Sequence, residues 1–134
     1  MTKSKDRSYG KSHARAGVEA ILPAIECWEN QYPGYEIELT FPEFTSLCPK
    51  TGLPDCGTVV IRYMPDRLCL ETKSLKLYLT AFRNLGLFTE NAVNRILKSV
   101  VQCAKPKWVL VEGLFRARGG IHARITAKYG PVKI

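Results

Sequence analysis

The chain has no hydrophobic run that approaches the roughly 18 residues a membrane-spanning helix needs. No apolar stretch of the kind found in secretory signals follows its start. The five cysteines, at positions 27, 48, 56, 69 and 103, are odd in number and form no Cys-x-x-Cys pair. That spacing argues against a zinc site and against a disulfide framework, and it suits a reducing cytoplasm. Internal repeats and low-complexity segments are also missing. These absences predict a cytoplasmic protein without membrane contact or bound metal, carrying free thiols.

What is present is enough for one ordinary domain. A chain of 134 residues buries about two-thirds of the surface it exposes when unfolded, so it needs no covalent staples. Its 46% hydrophobic and 24% charged content belongs to a globular protein. The net charge of +8 is divided. Lys3, Lys5, Arg7, Lys11 and Arg15 fall in a Ser/Gly-containing leader, and residues 1–17 read as a flexible basic tail before a single domain over 18–134. The basic body points to an anionic partner, either nucleic acid or a phosphorylated small molecule.

Periodicity outlines the domain. Tyr35, Ile37, Leu39 and Phe41 alternate on one face of a half-buried strand, and Thr58–Tyr63 reads as a second. Leu75, Tyr78, Leu79 and Phe82 have helical spacing and end near Gly86; a second helix starts about Thr89 as N-cap and ends at Lys105-Pro106. Trp108–Phe115 reads as a strand buried on both sides or lying at an interface, Arg116–Gly120 as a turn, and Ile121–Tyr129 as an alternating strand. The order ββααββ predicts an α+β fold: a four-stranded antiparallel sheet with two helices on one face.

Between the first two strands lies "EFTSLCPKTGLPDCG", rich in turn formers. Free cysteines are usually inert packing residues, but Cys48 stands against Pro49 in a polar setting, with Lys50 beside it to favour the thiolate. A thiolate is the soft nucleophile that covalent catalysis on an electrophilic carbon needs. Asp55, seven residues on, either caps the turn or approaches the same point as a proton donor. Glu71 and Glu90 flank the first helix; a carboxylate accepts two adjacent N–H donors, as on the edge of a guanine-like ring, while an acid in a first turn also complements the helix dipole. Lys73 and Lys76 share a helix face, with Arg83 seven residues further, and Arg118-Gly-Gly offers a guanidinium and backbone N–H groups, all plausible phosphate contacts.

"PEFTSLCPKTGLPD", "ETKSLKLYLTAFRN" and "RGGI" together resemble the short, unimodular QueF family, the NADPH-dependent 7-cyano-7-deazaguanine reductases of queuosine biosynthesis. The resemblance runs from about Ile25 to Tyr129. It implies the tunnelling fold, closed into pentameric rings of which two stack into a decamer, with active sites between subunits. It assigns Cys48 as the nucleophile that forms a thioimide and Asp55 as the proton donor, which must then be largely desolvated once substrate is bound. Leu70, Glu71, Thr72, Thr89 and Glu90 fall at the family's substrate-binding positions. Lys73, Ser74 and Lys76 match the NADPH-associated stretch, and Arg118 is a further cofactor contact. The chain departs from the family at Thr89, where histidine is common, and mildly at Thr72. Two other functions compete: a QueF-like amidinotransferase acting on tRNA without NADPH, and a nucleic-acid-binding module. Exposed aromatics at stacking spacing are not evident, so no direct nucleic-acid partner is expected.

Overall fold

The structure, a computed structural model, describes residues 9–132. A short helix, α1 (Lys11–Arg15), precedes β1 (Cys27–Glu29), β2 (Ile37–Leu47), β3 (Pro54–Met64) and β4 (Leu68–Leu70). Helix α2 (Thr72–Thr80) runs into a 3-10 turn, and α3 (Thr89–Ala104) precedes β5 (Trp108–Arg118) and β6 (Ile121–Tyr129). The main sheet is antiparallel, four-stranded, in the order β2-β3-β5-β6. Helix α3 packs on β5 and β6, and α2 with its 3-10 extension packs on β2, so both helices cover one face. The expected α+β architecture is present.

The strands of the first hairpin are longer than their alternation suggests. Phe41 pairs with Val59, but Phe44 pairs with Gly57, so one extra residue is accommodated at Pro42-Glu43. Proline has no N–H to give a ladder, which suits a bulge. The bulge changes the parity of β2. Ile37, Leu39 and Phe41 lie opposite Tyr63, Ile61 and Val59, and after the bulge Phe44 and Ser46 lie opposite Gly57 and Asp55 on the same side. Pairing therefore continues to Leu47 and Pro54, and the turn shrinks to residues 48–53.

Other boundaries move for local reasons. Glu71 caps α2 by accepting the N–H groups of Lys73 and Ser74, so that helix starts two residues before Ser74. Phe88, not Thr89, holds the N-cap position of α3, without a side-chain cap; Thr89 is the first helical residue. The β5–β6 turn contracts to Gly119 and Gly120, whose φ of 60° and 84° suits a two-residue hairpin that bulkier residues resist. The short β1–β4 sheet was not anticipated; three-residue strands leave too little alternation to read.

The sites of Lys3, Lys5 and Arg7 lie outside the described residues. From Tyr9 onward the leader rests on the body. Asn91 donates to the Ala14 carbonyl at 2.7 Å, and the Arg95 guanidinium donates to the carbonyls of Val18 and Ala20 at 2.8 and 2.7 Å.

The core between sheet and helices is aromatic where it supports the cysteine turn. Phe44 meets Phe82 at 5.2 Å and Phe115 at 6.2 Å between ring centroids. Phe44 and Phe115 flank Gly57 from its two neighbouring strands. A Cβ at Gly57 would stand 2.3 Å from the Leu114 carbonyl oxygen and 2.9 Å from the Phe115 Cα. Backbone cannot yield as a flexible side chain does. Gly57→Ala is therefore expected to destabilise the fold by about 3 kcal/mol, read as a lowered denaturation midpoint in urea; an unchanged midpoint would refute this account of the packing.

Candidate functional site

Cys48 opens the turn between β2 and β3. Its N–H donates to the Leu53 carbonyl at 2.8 Å, and its carbonyl accepts from Gly52 N–H at 2.9 Å. Gly52, at φ 72°, supplies the left-handed residue that this closure requires. The thiol is half-buried. Burial pushes the Cys48 thiol up, and the neighbouring charge of Asp55 adds to that. Hydrogen bonds from the Thr51 hydroxyl and from the backbone N–H groups of Thr51 and Lys50 act in the opposite sense, and the net result lies below the ordinary thiol value. Lys50 thus acts on the sulfur through its backbone. Its ammonium lies 4.6 Å from the centre of the Tyr9 ring.

Asp55 begins the return strand, and its side chain is mostly shielded, with 15% exposed. The carboxylate forms an ion pair with Arg118 from the end of β5, and that contact raises the Arg118 guanidinium above its ordinary value. Arg118, expected at a cofactor phosphate, thus meets the candidate acid.

A backbone bridge joins the turn to α3. Leu47 N–H donates to Leu85 O at 3.0 Å, and Leu87 N–H donates to Leu47 O at 2.9 Å, with Gly86 in parallel pairing to Leu47. A Cβ at Gly86 would lie 3.8 Å from the Pro49 Cα, so the two segments are in close contact. Phe88, Thr89 and Glu90 follow at once, which brings the start of α3 to the cysteine turn. Thr89 donates its hydroxyl to Glu90 Oε1 at 3.3 Å. The Tyr9 ring bridges the two segments from outside, packing on Phe88 at 5.6 Å while Lys50 lies over it.

The remaining candidates gather at the start of α2. Leu70 is buried, and its N–H donates to the Tyr63 hydroxyl at 2.9 Å. Glu71 is held below the usual carboxylate range, first by the Ser74 N–H and then by the Lys73 N–H that it caps. The Ser74 hydroxyl accepts from Glu26 N–H at 2.8 Å and donates to Glu71 O at 3.0 Å, so it is committed to backbone. Thr72 and Lys76 line a largely apolar cavity of about 430 Å³ together with Phe41, Pro42 and Glu43. From Glu43 to Cys48 the strand advances roughly 15 Å. Within one chain the candidates therefore form two groups: Cys48, Asp55, Thr89, Glu90 and Arg118 at the turn, and Leu70, Glu71, Thr72, Lys73, Ser74 and Lys76 beside the bulge. Among the described residues no cluster of three or more His, Cys, Asp or Glu side chains could hold a metal ion.

The profile of the family described as QueF-like protein matches residues 54–133. An NADPH-dependent 7-cyano-7-deazaguanine reductase of Elusimicrobium minutum is 57% identical over 125 residues, covering 92% of this chain and 95% of that protein. The chain belongs to the QueF-like family. A protein with the same description from Chloroherpeton thalassium is 52% identical over 107 residues, covering 78% of this chain and 92% of its own. Among solved structures, an archaeosine synthase QueF-Like in the apo form superposes with a TM-score of 0.68 over 73% of this chain and 96% of that one. At 21% identity that likeness carries the fold alone.

The site residues that the sequence did not single out are Tyr9, Ser46 and Thr51. Tyr9 belongs to the leader, whose contacts have no periodic signal, and Ser46 gains its place only from the bulge. The Cys48 environment has a direct test. Burial raises the thiols of Cys27 and Cys103, whereas Cys48 is lowered. As pH rises Cys48 should be alkylated by iodoacetamide before those two, and Thr51→Val should move its midpoint to higher pH. Peptide mapping across a pH series reads this; equal labelling of the three thiols would contradict it.

Proposed function

We propose that the chain reduces the nitrile of 7-cyano-7-deazaguanine to the aminomethyl group with two molecules of NADPH. The observation that carries the reading is the pairing of a turn-borne thiol, lowered by hydrogen bonds, with a shielded carboxyl on the returning strand. The descriptions of the relatives from Elusimicrobium minutum and Chloroherpeton thalassium supply the substrate class and the cofactor.

In this reading the Cys48 thiolate adds to the nitrile carbon, and Asp55 delivers a proton to the nitrogen, leaving a neutral thioimide. NADPH, when bound, supplies the hydrides that take the carbon down to the amine. The thiolate leaves between the two reductions, so Cys48 is regenerated. Glu90, at the first turn of α3 beside the cysteine turn, grips the amide and amino edge of the deazapurine. Thr89 shapes the same recess, and Leu70, Glu71 and Thr72, from the group beside the bulge, complete it from a second copy of the chain.

Lys73 and Lys76 suit the cofactor's phosphates as exposed cations on α2, next to the cavity at the bulge. Ser74 serves this end by fixing the start of the helix. Arg118 can meet a phosphate only after leaving Asp55. The two groups of candidates along β2 suit a site completed by a second copy of the chain. The sheet also ends in β2 and β6, which suits joining copies edge to edge. The resemblance to the family, rather than the geometry of one chain, supplies the form of oligomer proposed: a tunnelling-fold assembly of two stacked pentameric rings. With Thr89 in place of the family's usual histidine, proton transfer falls to Asp55, water or the Thr89 hydroxyl. No described helix is long and apolar enough to cross a membrane, and we place the reaction in the cytoplasm.

The purified chain with 7-cyano-7-deazaguanine should consume NADPH, followed by absorbance, and Cys48→Ala should abolish consumption. No consumption, together with a Cys48-dependent adduct by mass, would sink the reductase and favour the amidinotransferase. Steeply salt-sensitive binding to nucleic acid with neither signal would favour the binding module.

A further inference from the structure

The first hairpin sets Ser46 and Asp55 directly opposite each other, on the side of the sheet that faces the helices. Ser46 is fully buried, at 0% exposure, and its hydroxyl has no hydrogen-bond partner among the described residues. Buried hydroxyls are ordinarily satisfied, because an orphan has given up water and received nothing in return. Alanine would fill the same place without that penalty, so packing does not account for a serine here. Asp55, meanwhile, is turned to Arg118. Residues opposed across an antiparallel pair hold their Cβ atoms about 5 Å apart. At that separation, a change of Asp55 rotamer is the movement that would carry its carboxyl from the guanidinium to the hydroxyl.

These two partners select opposite protonation states. A guanidinium only donates, so it holds the carboxylate. A serine hydroxyl can also accept, so it can receive the O–H of the neutral acid. An acid catalyst has to spend part of its cycle protonated, and a guanidinium has no acceptor to offer the O–H of that state.

We propose that Ser46 is a positioning residue for Asp55: once Arg118 is drawn away, the Ser46 hydroxyl accepts the hydrogen bond of the protonated carboxyl and holds it beside the Cys48 turn. This rests on the nitrile-reductase reading and gives it a residue for which that reading has no use. As the Cys48 sulfur bonds to the nitrile carbon, the Asp55 proton passes to the nitrile nitrogen. Ser46 keeps its own proton and now donates to the carboxylate, which is then able to return to Arg118. Among the described residues, the titratable and charged groups around Asp55 are Arg118 from β5 and Cys48 from the turn, with Tyr9 of the leader facing Arg118. Ser46 adds a neutral partner from β2.

The sign of the effect follows. The acid form of Asp55 is needed and is lost as pH rises. Removing the group that stabilises that form moves the loss to lower pH. In the full chain carrying Ser46→Ala, formation of the Cys48–nitrile adduct, followed by mass, should slow about three- to tenfold near neutral pH. Its alkaline limb should move down by about half a unit to one unit. Binding of the nitrile should stay within about twofold. The thermal midpoint should be unchanged or higher, since an orphaned hydroxyl has been removed. An unmoved alkaline limb, or a loss of thermal stability with an equal loss of rate at every pH, would overturn the proposal and leave Ser46 a structural residue. Infrared titration of the Asp55 carboxylic acid band, assigned by its disappearance in Asp55→Asn, decides the matter without substrate. That band should persist to higher pH in the unsubstituted chain than in Ser46→Ala, and coincident titrations would overturn the proposal. If the unsubstituted chain forms no adduct, the nitrile reading fails by itself, and the infrared result still judges the Ser46–Asp55 pair.

Discussion

Everything at the site depends on one extra residue in β2. Side chains alternate across a strand with period two, so an unbroken β2 that buried Ile37, Leu39 and Phe41 would turn Phe44 and Ser46 to the open face. The bulge at Pro42-Glu43 reverses that parity. Phe44 then enters the aromatic cluster with Phe82 and Phe115. Ser46 comes opposite Asp55, and Leu47 bonds to both Leu85 and Leu87. The bulge also opens β2 at the cavity where Thr72 and Lys76 stand. A single local irregularity thus shapes both groups of candidate residues.

The second constraint is the contest of charges in the turn. Thr51 and Lys50 stabilise a negative sulfur, while the carboxylate of Asp55 opposes it. Arg118 relieves that opposition by pairing with Asp55. In the free chain Thr51 and Lys50 thus favour the negative sulfur, and the Asp55 carboxylate is paired with the Arg118 guanidinium. The proposed attack on a nitrile needs the sulfur unchanged and the carboxylate protonated. In that proposal a cofactor phosphate that withdraws Arg118 also weakens the hold on the carboxylate. Loading the site and arming the acid would then be a single electrostatic event.

Much of this was legible in the sequence, for identifiable reasons. Long elements with clean periods, such as α3 with Val93, Ile96 and Val100 inside and β6 with its polar alternate face, declare themselves. The cysteine segment declared itself by composition, since turn formers around a thiol are uncommon in a core. What stayed hidden was nonlocal. The bulge breaks the very alternation used to find strands, so β2 seemed to stop at Phe41. Arg118 carries no mark that it would meet Asp55, because that encounter is set by the pairing of β3 with β5. Ser74 looked like part of a phosphate-binding run, yet its hydroxyl is used by the backbone of Glu26 and Glu71; only the approach of β1 to β4 brings Glu26 there.

The contacts of the leader's described part are likewise nonlocal. Its charges and small residues resemble a solvated tail, but from Tyr9 onward it is anchored by Asn91 and Arg95 on the first turns of α3. Gly17, at φ 75°, lies so close to Gly86 and Leu87 that a Cβ there would stand 2.7 Å from the Gly86 carbonyl oxygen. The segment that carries Phe88, Thr89 and Glu90 to the turn is therefore held from two sides, by Leu47 in the sheet and by the leader outside it. Such double support suits the proposed chemistry, in which a nucleophile, an acid and a ring-gripping carboxylate have to keep their spacing. They come from three parts of the chain, and only backbone contacts between those parts can fix it.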